Sequence, residues 1–232
     1  MPPCVSGSTP SGVTEFLMVS TDINVWRPPG QPVSPLRWTI LCNARCWLPS
    51  GPFGKTRNRL ILVQRSMAKA KHSVAFQGER GAYSEDACVM YFGAEVEARP
   101  YPDFHSVFVA VERDEVSHAV VPVENSIEGS VTQVNDLLLD HDLTIVGEII
   151  VPVKHCLMAA EGATLSSIRE VYSHPQALGQ CRKFLQNHPE WKTIASYDTA
   201  GSARMVAESK RTDAAAIASR RASAVYALKV LK

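Results

Sequence analysis

The chain has 232 residues, 24 Lys and Arg against 23 Asp and Glu, a net charge of +1 and 45% hydrophobic residues. That is enough for one large α/β domain or two small lobes around a real core, and no apolar stretch approaches the roughly 18 residues of a membrane helix. The charge is uneven: residues 1–66 carry seven Lys or Arg against Glu15 and Asp22, which leaves 17 bases and 21 acids in residues 67–232. A mildly acidic main body argues against nucleic acid as a partner.

Residues 1–66 read unlike the rest. They hold nine of the 15 prolines and three of the four tryptophans, with no sustained period of 3.6 or 2. Arginines with few acids suit an organellar transit peptide, but prolines at 28, 29, 32, 35, 49 and 52 break any amphipathic helix. The expectation is a non-domain leader, disordered or an upstream extension of the reading frame, with Met67 as the natural start before the first strand. The cysteines, at 4, 42, 46, 88, 156 and 181, include no Cys-x-x-Cys pair. Cys42 and Cys46 would be half a metal site with no second half nearby, so no metal is expected. Cys88, Cys156 and Cys181 read as buried thiols of a reducing compartment.

From His72 onward strands and helices alternate. The pattern predicts strands at 74–76, 96–99 and 118–121, the last stopped by Pro122, and helices at 84–92, 104–112 and 130–139, where Val131, Val134, Leu137 and Leu138 share a face. Residues 143–159 are too β-branched for a helix and read as a bent strand or crossover between two lobes. The second half repeats the theme: strands at 168–172, 193–195 and 214–218, and helices at 177–187, 199–209 and 219–227. Strands alternating with helices imply an α/β fold of mostly parallel sheets covered on both sides. The first lobe is expected over about 72–145 and the second over about 146–228.

Four segments combine a strand end with a helix start. They are Gly81-Ala82-Tyr83-Ser84-Glu85, the run from Val121-Pro122-Val123-Glu124-Asn125-Ser126 to Gly129-Ser130, Ser173-His174-Pro175-Gln176-Ala177-Leu178-Gly179-Gln180-Cys181, and Asp198-Thr199-Ala200. Ser173 and Gln176 have capping-box spacing, and Pro175 fits a first helical turn, where its missing N–H costs nothing. Helix N-termini beyond the carboxyl ends of parallel strands are places to hold small anions.

In this order and spacing the four segments closely resemble the catalytic domain of prephenate dehydratases, from about His72 to Lys232. The resemblance implies two α/β lobes like those of a periplasmic binding protein, with the active site in the cleft between them. It implies a lyase of L-phenylalanine biosynthesis that converts prephenate to phenylpyruvate with loss of water and carbon dioxide, cytoplasmic and needing no cofactor or metal. A small molecule is then the partner, with no nucleic acid or membrane, and a homodimer is left open. Carried over residue by residue, the catalytic positions fall on Asn125, Ser173, Gln180 and Thr199, and substrate-binding positions on Ser84, Glu124, Ser126 and Ala200. Glu124 would repel a dianion and is read as orienting its neighbours. His174 is read as a structural hydrogen-bonding residue and His155 as a packed strand residue.

The chain departs from the family in containing no Thr-Arg-Phe, the strand that in relatives returns to the first lobe after the second. The Thr of that strand is the family's candidate for assisting hydroxyl departure. The expectation is therefore a domain at 67–232 without its return strand and without a phenylalanine-binding regulatory domain, and with impaired turnover. Alternatives left open are an inactive or binding-only relative that holds aromatic carboxylates, a fragment unable to fold alone, and an arogenate dehydratase.

Overall fold

The computed structural model describes residues 12–21, 72–127 and 129–232, all of which belong to one compact unit. Within it are two sheets, each covered by helices on both faces. The first sheet has the order β3(Glu97–Tyr101), β2(Ser73–Gln77), β4(His118–Asn125), β1(Val13–Ser20), β6(Thr144–Pro152), with the short β5(Gly129–Ser130) beside β4. The second runs β11(Lys229–Val230), β7(Cys156–Ala159), β10(Ala214–Ala218), β8(Glu170–Ser173), β9(Lys192–Ala195). Both are mixed: β3-β2-β4 and β9-β8-β10 are parallel, and the strands beyond them are antiparallel.

The strand β1 corrects the expectation that all of residues 1–66 lie outside the domain. Residues 13–20 fill the slot between β4 and β6, antiparallel to both, with Leu17 opposite Val121 on one side and Glu148 on the other. Phe16 and Met18 pack with Ala87, Cys88 and Tyr91 of helix α1(Tyr83–Phe92), while Val19 packs with Val107 and Val111 of α2(Phe104–Glu112) on the opposite face. The apolar run at 16–19 supplies both faces of the strand, so no polar alternation reveals it. The first-lobe sheet is thus completed by a strand ahead of the lobe, whereas the expectation was a lobe left without the family's return strand. The rest of the leader, including Met67, Cys4, Cys42 and Cys46, lies outside the described residues.

Three boundaries also moved. The strand β4 runs through Pro122 to Asn125 instead of stopping. Pairing with β2 ends at Val120, and the register against β1 shifts between Glu15 and Phe16, opposite Pro122, so the missing N–H interrupts no regular ladder. The predicted crossover is two strands: β6 stays in the first sheet to Pro152 and β7 opens the second, which puts the lobe boundary at residues 153–155 rather than at 145. The predicted 177–187 helix is interrupted at Cys181 into α4(Pro175–Gln180) and α5(Arg182–Leu185). Helix α2 and helix α6(Thr199–Ser209) match their predicted spans, α3(Thr132–Asp140) is close to its own, and α7(Arg220–Val225) is shorter.

The lobes also touch where the loop after β2 meets α6 and α7. Tyr226 donates to the Arg80 carbonyl at 2.9 Å and Arg204 pairs with Glu79 at 2.9 Å. Gly81 has φ +89° and lies so close to α7 that a Cβ there would meet the Ala222 Cα at 2.7 Å, so conformation and space both require glycine. Cys88, Cys156 and Cys181 are buried free thiols. Among the described residues no helix is long and apolar enough to cross a membrane, and no cluster of three or more metal-ligating side chains occurs.

Candidate functional site

The parallel strands of both sheets end at a cleft of about 950 Å³ lined from both lobes and from the connection between them. The first lobe contributes Thr14 from the start of β1, Asn125 from the end of β4, Glu79 and Tyr83. The connection gives His155, and the second lobe gives His174, Gln176, Gln180, Tyr197, Asp198 and Thr199. Size and position are those of a small-molecule site in an α/β protein.

Thr14 and Asn125 face each other across neighbouring strands. The Asn125 Nδ2 donates to the Thr14 Oγ1 at 3.0 Å, and its Oδ1 accepts from the Ile127 backbone N–H at 2.9 Å. The second bond fixes the carboxamide, because a backbone N–H can only meet the oxygen. With its oxygen accepting from Asn125, the Thr14 hydroxyl hydrogen is available to a group in the cleft. Ser126 holds this corner from behind: its backbone N–H donates to the Val13 carbonyl, and its Oγ accepts from the Val13 N–H, both at 3.0 Å. The run from Val121 to Ser130 is therefore no helix N-terminus. It is a strand end and a hairpin, with Asn125 closing the turn.

Deeper in, Tyr83 O–H meets His155 Nδ1 at 3.0 Å, and His155 Nε2 meets Gln180 Oε1 at 2.9 Å. Burial pushes the His155 pKa below its usual value, against the hydrogen bond to the Gln180 oxygen, which favours the charged form. His155 thus joins both lobes in one polar chain, which its sequence setting, between a β-branched run and Cys156, did not announce.

On the second lobe, Asp198 caps α6 by accepting from Gly201 N–H at 3.0 Å, and Thr199 opens the helix at the cleft wall. His174, not Ser173, caps α4, accepting from Gln176 N–H at Nδ1. Ser173 is fully buried and donates to the Ile217 carbonyl at 2.6 Å, tying β8 to β10. It does not line the cleft, and its capping box is not formed. Ser84 is buried inside α1 and Ala200 in the first-lobe core. Glu124 is exposed on β4, paired across from Glu15 and Ser130.

Of the eight sequence-predicted residues, then, the cleft brings together Asn125, Gln180 and Thr199; the other five support its walls or lie elsewhere. Thr14, Tyr83 and His155 were missed. Thr14 could have been found by searching for a Thr-x-Phe strand on either side of the lobes. Among the described lining residues there is no Lys or Arg, and the acids Glu79 and Asp198 are engaged by Arg204 and by the α6 N-terminus. Hydroxyl and amide donors beside a helix N-terminus are chemistry that suits an anionic ligand.

Comparison with known proteins gives this geometry a family. The family model of prephenate dehydratase matches residues 74–232. Over 158 residues the chain is 45% identical to arogenate dehydratase/prephenate dehydratase 2, chloroplastic, of Arabidopsis thaliana, covering 68% of this chain and 41% of that protein. The crystal structure of prephenate dehydratase in complex with L-Phe from Arthrobacter aurescens superposes with a TM-score of 0.64 at 30% identity, over 69% of this chain and 54% of that one. A structure described as GqqA, a novel type of quorum quenching acylases, gives a TM-score of 0.66 at 34% identity, over 69% of this chain and 58% of that one. The chain therefore spans about two-fifths of the length of such curated relatives. The matched segment starts after β1, so that strand joins the site on geometry alone. The chain belongs to the prephenate dehydratase family.

Proposed function

We propose that the cleft binds prephenate and converts it to phenylpyruvate, a step of aromatic amino acid biosynthesis. The bond between the ring and its carboxylate breaks, and its electron pair enters the ring. The bond from the opposite carbon to its hydroxyl then breaks, and the departing oxygen takes up one proton. Carbon dioxide and water leave, and the aromatic ring formed supplies the driving force. The protein's part is to hold a dianion and to donate a hydrogen bond to the leaving hydroxyl.

The observation that carries this reading is the Thr14–Asn125 pair. Asn125 orients the Thr14 oxygen at 3.0 Å, which leaves the hydroxyl hydrogen to assist the leaving group. Gln180, Thr199 and the α6 N-terminus are assigned to the substrate carboxylates. The expectation of impaired turnover rested on a missing strand, and β1 removes that ground. Turnover is accordingly favoured over a binding-only role. The test is phenylpyruvate formation from prephenate by the purified full chain, and its absence with prephenate bound would favour the binder.

Arogenate is the second substrate to try, because its side-chain ammonium suits a cleft whose described lining includes Glu79 and Asp198 and no Lys or Arg. A kcat/KM for arogenate at least ten-fold above that for prephenate would reassign the substrate. A cytoplasmic location belongs to the same proposal. Imaging the tagged full chain tests it against the plastid, where the name of the Arabidopsis relative places that protein.

A further inference from the structure

We infer that His155 is a positioning residue that sets the Gln180 carboxamide with its NH₂ toward the substrate and its oxygen away. The inference rests on the substrate reading above. A carboxamide is nearly symmetric in shape, so a glutamine on a cleft wall can present either an acceptor or two donors. For a dianion the two choices are opposites: NH₂ attracts a carboxylate, and the carbonyl oxygen repels it.

The chain of contacts fits the donor-outward choice. The Gln180 Oε1 lies 2.9 Å from His155 Nε2 and carries no hydrogen, so the hydrogen between them belongs to His155. A neutral imidazole with its proton on Nε2 has a lone pair on Nδ1, and there Tyr83 O–H sits at 3.0 Å with a hydrogen to give. With Tyr83 as donor to Nδ1, the Nε2-protonated tautomer and the Gln180 orientation support each other. Each link comes from a different part of the fold: Tyr83 from the first turn of α1, His155 from the inter-lobe connection, Gln180 from the last turn of α4. The device is correct only when both lobes are in register, and it couples their alignment to anion binding.

Burial pushes the His155 pKa below its usual value and so favours the neutral imidazole. The titratable side chains that share the cleft with it are Glu79, Tyr83, Tyr101, His174, Tyr197 and Asp198. Among these Tyr83 is in ring contact with it, the two centroids 5.7 Å apart and edge-on.

The experiment is a double-mutant cycle in the full chain, with kcat and KM for prephenate measured on His155→Phe, Gln180→Ala and the pair, each checked for folding by melting. His155→Phe keeps ring volume but offers no N–H, and should raise KM roughly ten-fold or more, the scale of a lost hydrogen bond to a charged group, with a smaller change in kcat. Gln180→Ala should do the same, and the double variant should be no worse than the worse single. His155→Gln, which can still donate to Oε1, should recover most of the loss. Multiplying KM effects in the double variant, or no KM effect in His155→Phe, would overturn the inference. Should His155→Phe fail to fold, Tyr83→Phe makes the same cycle by releasing the tautomer.

A readout independent of turnover is the ¹⁵N spectrum of the His155 imidazole. The inference requires Nε2 protonated and Nδ1 bare in the wild type, with titration below the ordinary histidine range. A proton on Nδ1, or ordinary titration, would refute it even in a chain that processes prephenate. A chain that fails to process prephenate but shows the required spectrum would refute the substrate reading alone.

Discussion

The two lobes share a plan and differ in where their strands come from. Each sheet has a parallel three-stranded core, β3-β2-β4 or β9-β8-β10, flanked by antiparallel strands that finish it. In the second lobe all strands lie within residues 156–230. In the first, the strand between β4 and β6 comes from residues 13–20, well ahead of β2 at 73–77. That remote strand is also the one that brings Thr14 to Asn125. Stability of the first lobe and chemistry at the cleft therefore depend on one short segment, whereas the second lobe's fold does not.

The strongest way to break the comparison is to delete residues 1–21. Phe16, Met18 and Val19 are essentially fully buried, and at about 1.5–3 kcal/mol each their loss removes about 5–9 kcal/mol. That is comparable to the whole stability of a domain, about 5–15 kcal/mol. The first lobe should become protease-sensitive and aggregate through the unpaired β4 and β6 edges, and a synthetic peptide of residues 12–21 should restore it. Limited proteolysis and denaturant unfolding provide the check. A 67–232 fragment as stable as the full chain would show that β1 is dispensable.

Thr14→Val separates chemistry from folding, since it keeps the shape and removes the hydroxyl. Phenylpyruvate formation should fall by about 10²–10⁴-fold, the usual contribution of positioned proton donation. Melting should move far less than in the deletion. A variant with unchanged turnover would take Thr14 out of the reaction.

At the lobe junction the expected effect is smaller and depends on pH. His155 is held neutral by burial, with a folded pKa below the usual value of 6.5. The unfolded chain therefore takes up a proton first as pH drops below about 6.5, so stability contributed by the neutral form is complete above that value and is lost toward the lower folded pKa. One group of this kind gives a slope of at most about 1.4 kcal/mol per pH unit. Unfolding curves of the wild type and His155→Gln between pH 7 and 5 should diverge in that sense, the variant having the flatter profile. Parallel profiles would mean that His155 titrates alike in both states.

The smallest effect concerns Glu15, which faces Glu124 across β1 and β4. Like charges opposite one another on a sheet are unfavourable, and an opposite pair contributes roughly 0.2–1 kcal/mol. Glu15→Arg should raise the denaturation midpoint slightly, and a decrease would show that the two carboxylates do not interact.

Most of the second lobe was legible because its signals are local. The small-residue strand 214–218, the Asp198 cap and the 3.6-residue period of α6 each announce themselves within a dozen residues. In the first lobe α2 was equally plain. β1 was hidden because its apolar run at 16–19 serves both faces and shows no alternation, and because it sits beside a proline-rich segment whose composition dominates any window. Ser173 misled for the opposite reason: its spacing satisfied a capping rule, but its hydroxyl was taken by the Ile217 carbonyl, a partner 44 residues away. Asn125, Gln180 and Thr199 came from motif resemblance, whereas Tyr83 and His155 became meaningful only once the lobes brought them within hydrogen-bonding distance.

Hydrogen–deuterium exchange of the full chain tests the central claim most directly. If residues 13–20 are the middle of the first-lobe sheet, their amides should be protected to the same degree as those of β4 at 118–125 and should lose protection together with them on adding denaturant. Exchange of 13–20 at the rate of an unstructured peptide, while β4 stays protected, would contradict the account.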